Sequence, residues 1–98
     1  PQSQPAVFVA PLDPAVETSA MALAESLRDL GLSAWYHCGG GSLKSQLKKA
    51  DRSGARFALV IGEEEQADGT VLVRDLLEGD QQRVTQAEVG DFVAARRG

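Results

Sequence analysis

Ninety-eight residues, 43% hydrophobic and 24% charged, suffice for one small globular domain and exclude a disordered chain. No run of about 18 apolar residues occurs, which excludes a membrane-spanning helix and gives no reason to expect a membrane partner. The net charge of −4 opposes general nucleic-acid binding, so any phosphate contact has to come from a local basic patch. The one cysteine, Cys38, cannot form an internal disulfide, and a reducing, cytoplasmic setting is expected. The chain opens on Pro1 rather than Met and shows no signal-peptide pattern. Residues 1–5 read as the end of a linker, followed by one domain over 6–98.

Residues 6–10 form a short apolar run, a buried strand stopped by Pro11. Asp13 caps the next helix with Pro14 at its first position. Val16, Ala20, Leu23, Leu27 and Leu30 recur at helical spacing, and Gly31 ends that helix. A second strand is expected over 32–37. Gly39, Gly40 and Gly41 make a loop, Ser42 caps a second helix lined by Leu43, Leu47 and Ala50, and Gly54 ends it. Residues 56–61 are the clearest strand, nearly all apolar, as suits a central strand covered on both faces. Residues 63–67 suggest one helical turn. Residues 70–76 and 81–84 read as a hairpin around Glu78, Gly79 and Asp80. Thr85 and Glu88 form a capping box for a last helix, whose apolar side is Val89, Phe92 and Val93. Strands alternating with helices, then a hairpin, predict a three-layer α/β/α domain with a mixed sheet.

Lys44, Lys48, Lys49, Arg52 and Arg56 crowd one short segment, opposed only by Asp51. Lys44 and Lys48 are four apart and share a helix face. This stripe is either an ordinary solvated face or a set of phosphate contacts. The glycine loop leading to Ser42 runs from a strand into a helix, where backbone N–H groups can hold an anion. It lacks the spacing of the known phosphate and dinucleotide loops, which favours the plainer reading of a tight strand-to-helix connection.

Glu63, Glu64 and Glu65 follow the central strand. No His or Cys accompanies them, which argues against a metal site. Acidic residues suit a helix start. A carboxylate at the edge of a sheet can also accept hydrogen bonds from a base. Arg74, on the fourth strand, is either a salt-bridge partner or a donor to a base edge or phosphate. His37 and Cys38 are adjacent but have no carboxylate partner, and no nucleophile-elbow pattern occurs, so no catalytic residue is expected. Trp35 and Tyr36 suit core and strand edge better than a base-stacking platform.

Several stretches together carry a resemblance. They are Gly39-Gly40-Gly41-Ser42, the helix ending in Ala50-Asp51, the Gly54-Ala55-Arg56 entry to the central strand, the closing Gly62-Glu63-Glu64-Glu65, and Thr70-Val71-Leu72-Val73-Arg74-Asp75. From residue 6 to residue 97 the chain resembles the anticodon-binding domain of the class II aminoacyl-tRNA synthetases serving His, Thr, Pro and Gly. It is most similar to that of the bacterial-type histidyl-tRNA synthetases.

The resemblance implies a five-stranded mixed sheet of order 2-1-3-4-5. It implies that the domain holds the anticodon stem-loop of a tRNA, tRNA-His above others, while a separate domain charges the far end. Glu65 and Arg74 then face anticodon bases, with Glu63 beside them. Lys44, Lys48, Lys49, Arg52, Gly40, Gly41 and Ser42 contact phosphates. Glu65 is expected to lie exposed at the sheet edge, accepting from both N–H donors of a guanine. The longer protein would be a homodimeric ligase using ATP and Mg²⁺ in its catalytic domain; this domain is expected to need no cofactor, no metal and no DNA. The rival readings are a threonyl, prolyl or glycyl synthetase, or a paralogue that charges no tRNA and serves as an interaction module. A small flavodoxin-like enzyme is disfavoured, because neither phosphate-loop spacing nor a catalytic constellation is found.

Overall fold

The computed structural model of the chain describes residues 5–37 and 42–97, the last by its backbone alone. Residues 1–4 of the expected linker, Cys38 and the three loop glycines lie outside the described residues; Pro5 is buried.

The strands are β1 (Val7–Pro11), β2 (Ala34–Tyr36), β3 (Phe57–Ile61), β4 (Thr70–Asp75) and β5 (Gln81–Thr85). The helices are α1 (Glu17–Asp29), α2 (Leu43–Ser53), α3 (Glu63–Asp68) and α4 (Val89–Arg97), with a single 3₁₀ turn at Pro14–Val16 before α1. The sheet order is β2-β1-β3-β4-β5. β1 runs parallel to β2 and β3, and β4 runs antiparallel to β3 and β5. The predicted α/β class, mixed sheet and strand order are all present.

Burial explains the order. Every residue of β1 and β3 is buried, as central parallel strands covered on both faces must be. One face of the sheet carries Val7, Val9, Phe57, Leu59, Ile61, Val71 and Val73. It packs against Ala20, Leu23, Ala24 and Leu27 of α1 and Val89 and Val93 of α4. The other face carries Phe8, Ala10 and Ala58 under Leu47 and Ala50 of α2. That second cluster is smaller because α2 packs on β1 and β3. On this side β4 and β5 present a half-buried Leu72 and Arg74 and an exposed Gln81, Arg83 and Thr85. An open, polar sheet face therefore flanks α2.

The local signals work by the expected chemistry. The Asp13 carboxylate accepts from the Ala15 N–H at 2.8 Å, but it caps the 3₁₀ turn, and the α-helix begins at Glu17. The Ser42 hydroxyl accepts from the Ser45 N–H at 3.2 Å, and Gly54 ends α2 at φ +82°, a left-handed conformation that suits glycine. The Thr85 hydroxyl accepts from the Glu88 N–H and donates to the Glu88 carboxylate, a side-chain version of the capping box. β1 stops at Pro11, as expected, but includes it as the last residue, opposite Ile61: its fixed φ suits extended backbone, and Leu12 donates the next bond, to the Ile61 carbonyl. β2 is shorter than the predicted 32–37, with Leu32 buried in the turn that enters it.

Candidate nucleic-acid interface

Helix α2 and strand β4 border a groove of about 340 Å³, lined by Lys44, Leu47, Lys48, Asp51, Arg74, Leu76 and Gly79. Helical geometry decides which basic residues reach it. At about 100° per residue, positions 44, 47, 48 and 51 share one side of α2, and 49 points elsewhere. Lys44 and Lys48 thus line the groove together with Arg74, while Lys49 and Arg52 are exposed but do not line it. Among the described residues none of these five cations lies within 4.0 Å of a carboxylate. Arg74 donates to the side-chain oxygen of Gln81 at 3.1 Å, a neutral partner opposite it in the ladder. Its charge remains available.

Arg56, the last cation of the predicted stripe, is occupied. Its guanidinium donates twice to Asp75, at 3.0 Å to each oxygen, and lies 5.1 Å from the centre of the Phe57 ring. That pairing raises the Arg56 pKa and holds the Asp75 carboxyl at about 2, below its ordinary 3.8. The Arg56 hydrogen bonds are the main cause at Asp75; burial works against them, and the N–H groups of Glu78 and Leu77 assist. Asp75 thereby ties the entry of β3 to the β4–β5 turn.

The acidic segment corrects an expectation. Glu65 is not exposed at the sheet edge; it is 8% exposed. It sits at the third position of α3 and reaches back, so that its Oε1 accepts from the Gly62 N–H at 2.7 Å. Glycine suits that turn, since a Cβ at Gly62 would lie only 3.0 Å from the same oxygen. Oε2 accepts from Arg83 at 3.1 Å. Glu64 lies 3.6 Å and Asp68 3.4 Å from the same guanidinium. Glu63 is exposed. The Gly62-to-Glu65 spacing is itself a helix-start signal. Arg83 carries no local signal in the sequence, because its position opposite Leu72 follows from the hairpin register.

Glu65→Gln is therefore expected to cost stability, by about 1 kcal/mol, since it replaces a charged acceptor shared by Gly62 and Arg83. Urea denaturation of the variant tests this; a midpoint equal to that of the parent would mean that the buried carboxylate contributes nothing.

The remaining predicted residues are distributed as follows. Ser42 is exposed and serves as the cap of α2. Gly40 and Gly41 lie outside the described residues. His37 is half-buried and stacks on Phe8, ring centres 6.1 Å apart. The Tyr36 hydroxyl donates to the Glu17 carbonyl, and Trp35 is 45% exposed on the edge strand. Among the described residues no group of three or more His, Cys, Asp or Glu is placed to hold a metal ion, and no helix is long and apolar enough to cross a membrane.

Comparison with known proteins places this geometry. The profile of the anticodon binding domain family matches residues 6–96. The histidine–tRNA ligase of Nitratidesulfovibrio vulgaris is 44% identical over 93 residues, 95% of this chain and 21% of that protein. The histidyl-tRNA synthetase structure from Nostoc sp. PCC 7120 superposes with a TM-score of 0.89 at 26% identity, over 96% of this chain and 22% of that one. The RNA binding domain of threonyl-tRNA synthetase from Cryptosporidium parvum shares the fold, with a TM-score of 0.84 at 17% identity over 95% of this chain and 24% of that one. The chain spans about a fifth of the length of the curated relatives it matches. A profile match over nearly every residue, a near-half-identical relative and the same sheet order agree: the chain belongs to the anticodon binding domain family.

Proposed function

We propose that the chain holds the anticodon stem-loop of a tRNA, tRNA-His in particular, against the open face of β4–β5 and the adjoining side of α2. In this reading it is one domain of a longer histidine–tRNA ligase, cytoplasmic and homodimeric, whose separate catalytic domain uses ATP and Mg²⁺. The observation that carries the reading is the polarity of the open face. At one end Lys44, Lys48 and Arg74 present unpaired positive charge along a groove. At the other, Glu63, Glu64, Glu65 and Asp68 outnumber Arg83. Phosphates are attracted to the first end and repelled by the second, while unstacked bases, which carry N–H donors, suit the second. A bent loop with phosphates on one side and splayed bases on the other fits both. The identity of the relative over most of the chain favours histidine over threonine, for which the likeness extends to the fold alone. Glu63, exposed beside this acidic end, is proposed as a base contact together with Glu65 and Arg74; Lys49, Arg52, Ser42, Gly40 and Gly41 are proposed as further phosphate contacts.

The test is titration of the chain with a histidine-anticodon stem-loop over a range of salt. Binding is expected to weaken steeply with salt. Lys44→Ala with Lys48→Ala should weaken every stem-loop by a similar factor and make the log–log salt slope shallower by about 1.5. An unchanged slope would remove α2 from the RNA path.

A further inference from the structure

We propose that Arg28 guards the β2 edge of the sheet. Its guanidinium occupies the backbone acceptor through which β2 would otherwise pair with β2 of a second copy of the chain. This edge lies opposite β5, and the inference does not depend on where RNA binds.

β2 is the last strand on its side of the sheet, and its residues, Ala34, Trp35 and Tyr36, carry no charge. A strand edge is a template for another strand unless something blunts it. The β5 edge is blunted by polar side chains, with Gln81, Gln82, Arg83 and Thr85 all exposed. On β2, by contrast, Trp35 and Tyr36 are residue types that favour strands, and Trp35 is 45% exposed. Trp35 lies opposite Phe8 in the ladder, so it stands on the α2 side of the sheet. On the α1 side Met21 is 51% exposed. Met21 is four residues after Glu17 and seven before Arg28, hence on the same stripe of the helix. Both of those residues bond to β2. An apolar side chain therefore flanks the edge on each side.

The register shows which backbone groups face outward. The Val7 N–H donates to the Ser33 carbonyl at 3.0 Å, and the His37 N–H donates to the Val9 carbonyl at 3.1 Å. The direction of these groups alternates along a strand in a parallel ladder, so the N–H and C=O of Ala34 point away from β1. That outward carbonyl is covered. Arg28 Nε donates to it at 3.1 Å and Nη2 at 2.7 Å, while Nη1 is held 3.3 Å from Glu25. The oxygen has two lone pairs, and both are taken. A second copy laid antiparallel across Ala34 needs this carbonyl to accept its own Ala34 N–H. The incoming strand has to displace two charged donors and bury a guanidinium whose side chain is 45% exposed. The same contact ties α1 to β2, and the Tyr36 hydroxyl ties them again through the Glu17 carbonyl at the other end of the helix. β2 thus keeps a tie to α1 when Arg28 is replaced.

Trp35 is the one tryptophan of the chain, so its emission reports directly on this edge. Sedimentation equilibrium and tryptophan emission are followed over a concentration series for the 98-residue chain and its variants, with far-UV circular dichroism as the measure of folding. The parent is expected to stay monomeric, with emission independent of concentration. Arg28→Ala is expected to strengthen self-association by about tenfold or more, and Trp35 emission should move to the blue as the dimer forms. Arg28→Met keeps the aliphatic stem and loses the donors; it should behave alike, and it carries the test if the alanine variant does not fold. Trp35→Lys added to either variant places a charge on the bared edge and should return the monomer. A folded Arg28 variant that stays monomeric with unchanged emission would reduce Arg28 to a tie between α1 and β2 and overturn the proposal. Association that Trp35→Lys leaves intact would overturn it too, as would association with lost helical dichroism and a red shift, the mark of an aggregating unfolded chain. A parent whose emission already moves to the blue with concentration would show that the edge is not guarded.

Discussion

Asp75→Ala is expected to lower the unfolding free energy by about 2–3 kcal/mol. One carboxylate serves four donors. Oδ1 accepts from Arg56 Nε and from the N–H groups of Leu77 and Glu78, each at 3.0 Å, and Oδ2 accepts from Arg56 Nη2 at 3.0 Å. The side chain is 11% exposed, so its removal leaves turn N–H groups poorly solvated; Arg56, 29% exposed, recovers water and limits the loss. The same contacts set a pH dependence. The carboxyl titrates at about 2 in the folded chain against an ordinary 3.8. Its contribution is thus complete above the ordinary value and disappears as the pH falls through about 2. The shift bounds that contribution at about 2 kcal/mol, reduced by solvent at the partly exposed guanidinium. Asp75→Asn retains an acceptor for the turn and should flatten the acid limb of the stability curve. Urea denaturation across a pH series measures both effects. An alanine variant within about 0.5 kcal/mol of the parent would show that the turn closes without its carboxylate.

Reversing two charges across the groove should have the largest effect on RNA binding. Lys48→Glu combined with Arg74→Glu turns the walls facing each other across the 340 Å³ groove from positive to negative. Two attractive contacts are lost and two repulsions replace them, so affinity for an anticodon stem-loop should fall on the order of 100-fold or more at moderate salt. The loss should shrink as salt rises. Both side chains point away from the main core, and the bond from Arg74 to Gln81 is a surface contact, so the unfolding midpoint should move little. A change in affinity of less than about threefold would place the RNA elsewhere on the molecule.

Much of this architecture is legible in the sequence, since periodicity and caps report local geometry. The apolar run at Phe57–Ile61, the Ser42 cap, the glycines that end α1 and α2, and the hairpin turn each state their own conformation. The side-chain partners are less legible, because they depend on register. Arg56 reads as part of a basic stripe until β3 is laid beside β4, which puts Phe57 opposite Asp75. Glu65 reads as a solvent-facing acid among three, although the glycine three residues earlier already allows it to fold back on its own helix start. Arg83 has no local signature; only the pairing of β4 with β5 sets it beside α3.

Strand β4 divides its residues between two tasks. Val71, Val73 and Asp75 turn to α1, α4 and the loop closure, while Leu72 and Arg74 turn to the open side. Substitutions on the open side can therefore accumulate without disturbing the packed one, so that a new RNA preference can evolve on an unchanged scaffold. The turn at residues 76–80 guards this separation. One residue gained or lost there, without a compensating bulge, would exchange the two sides of β5. Arg83 would then be driven under α1 and α4 and Val84 left in water, which makes the length of this turn a stricter constraint than the chemistry of most residues in it.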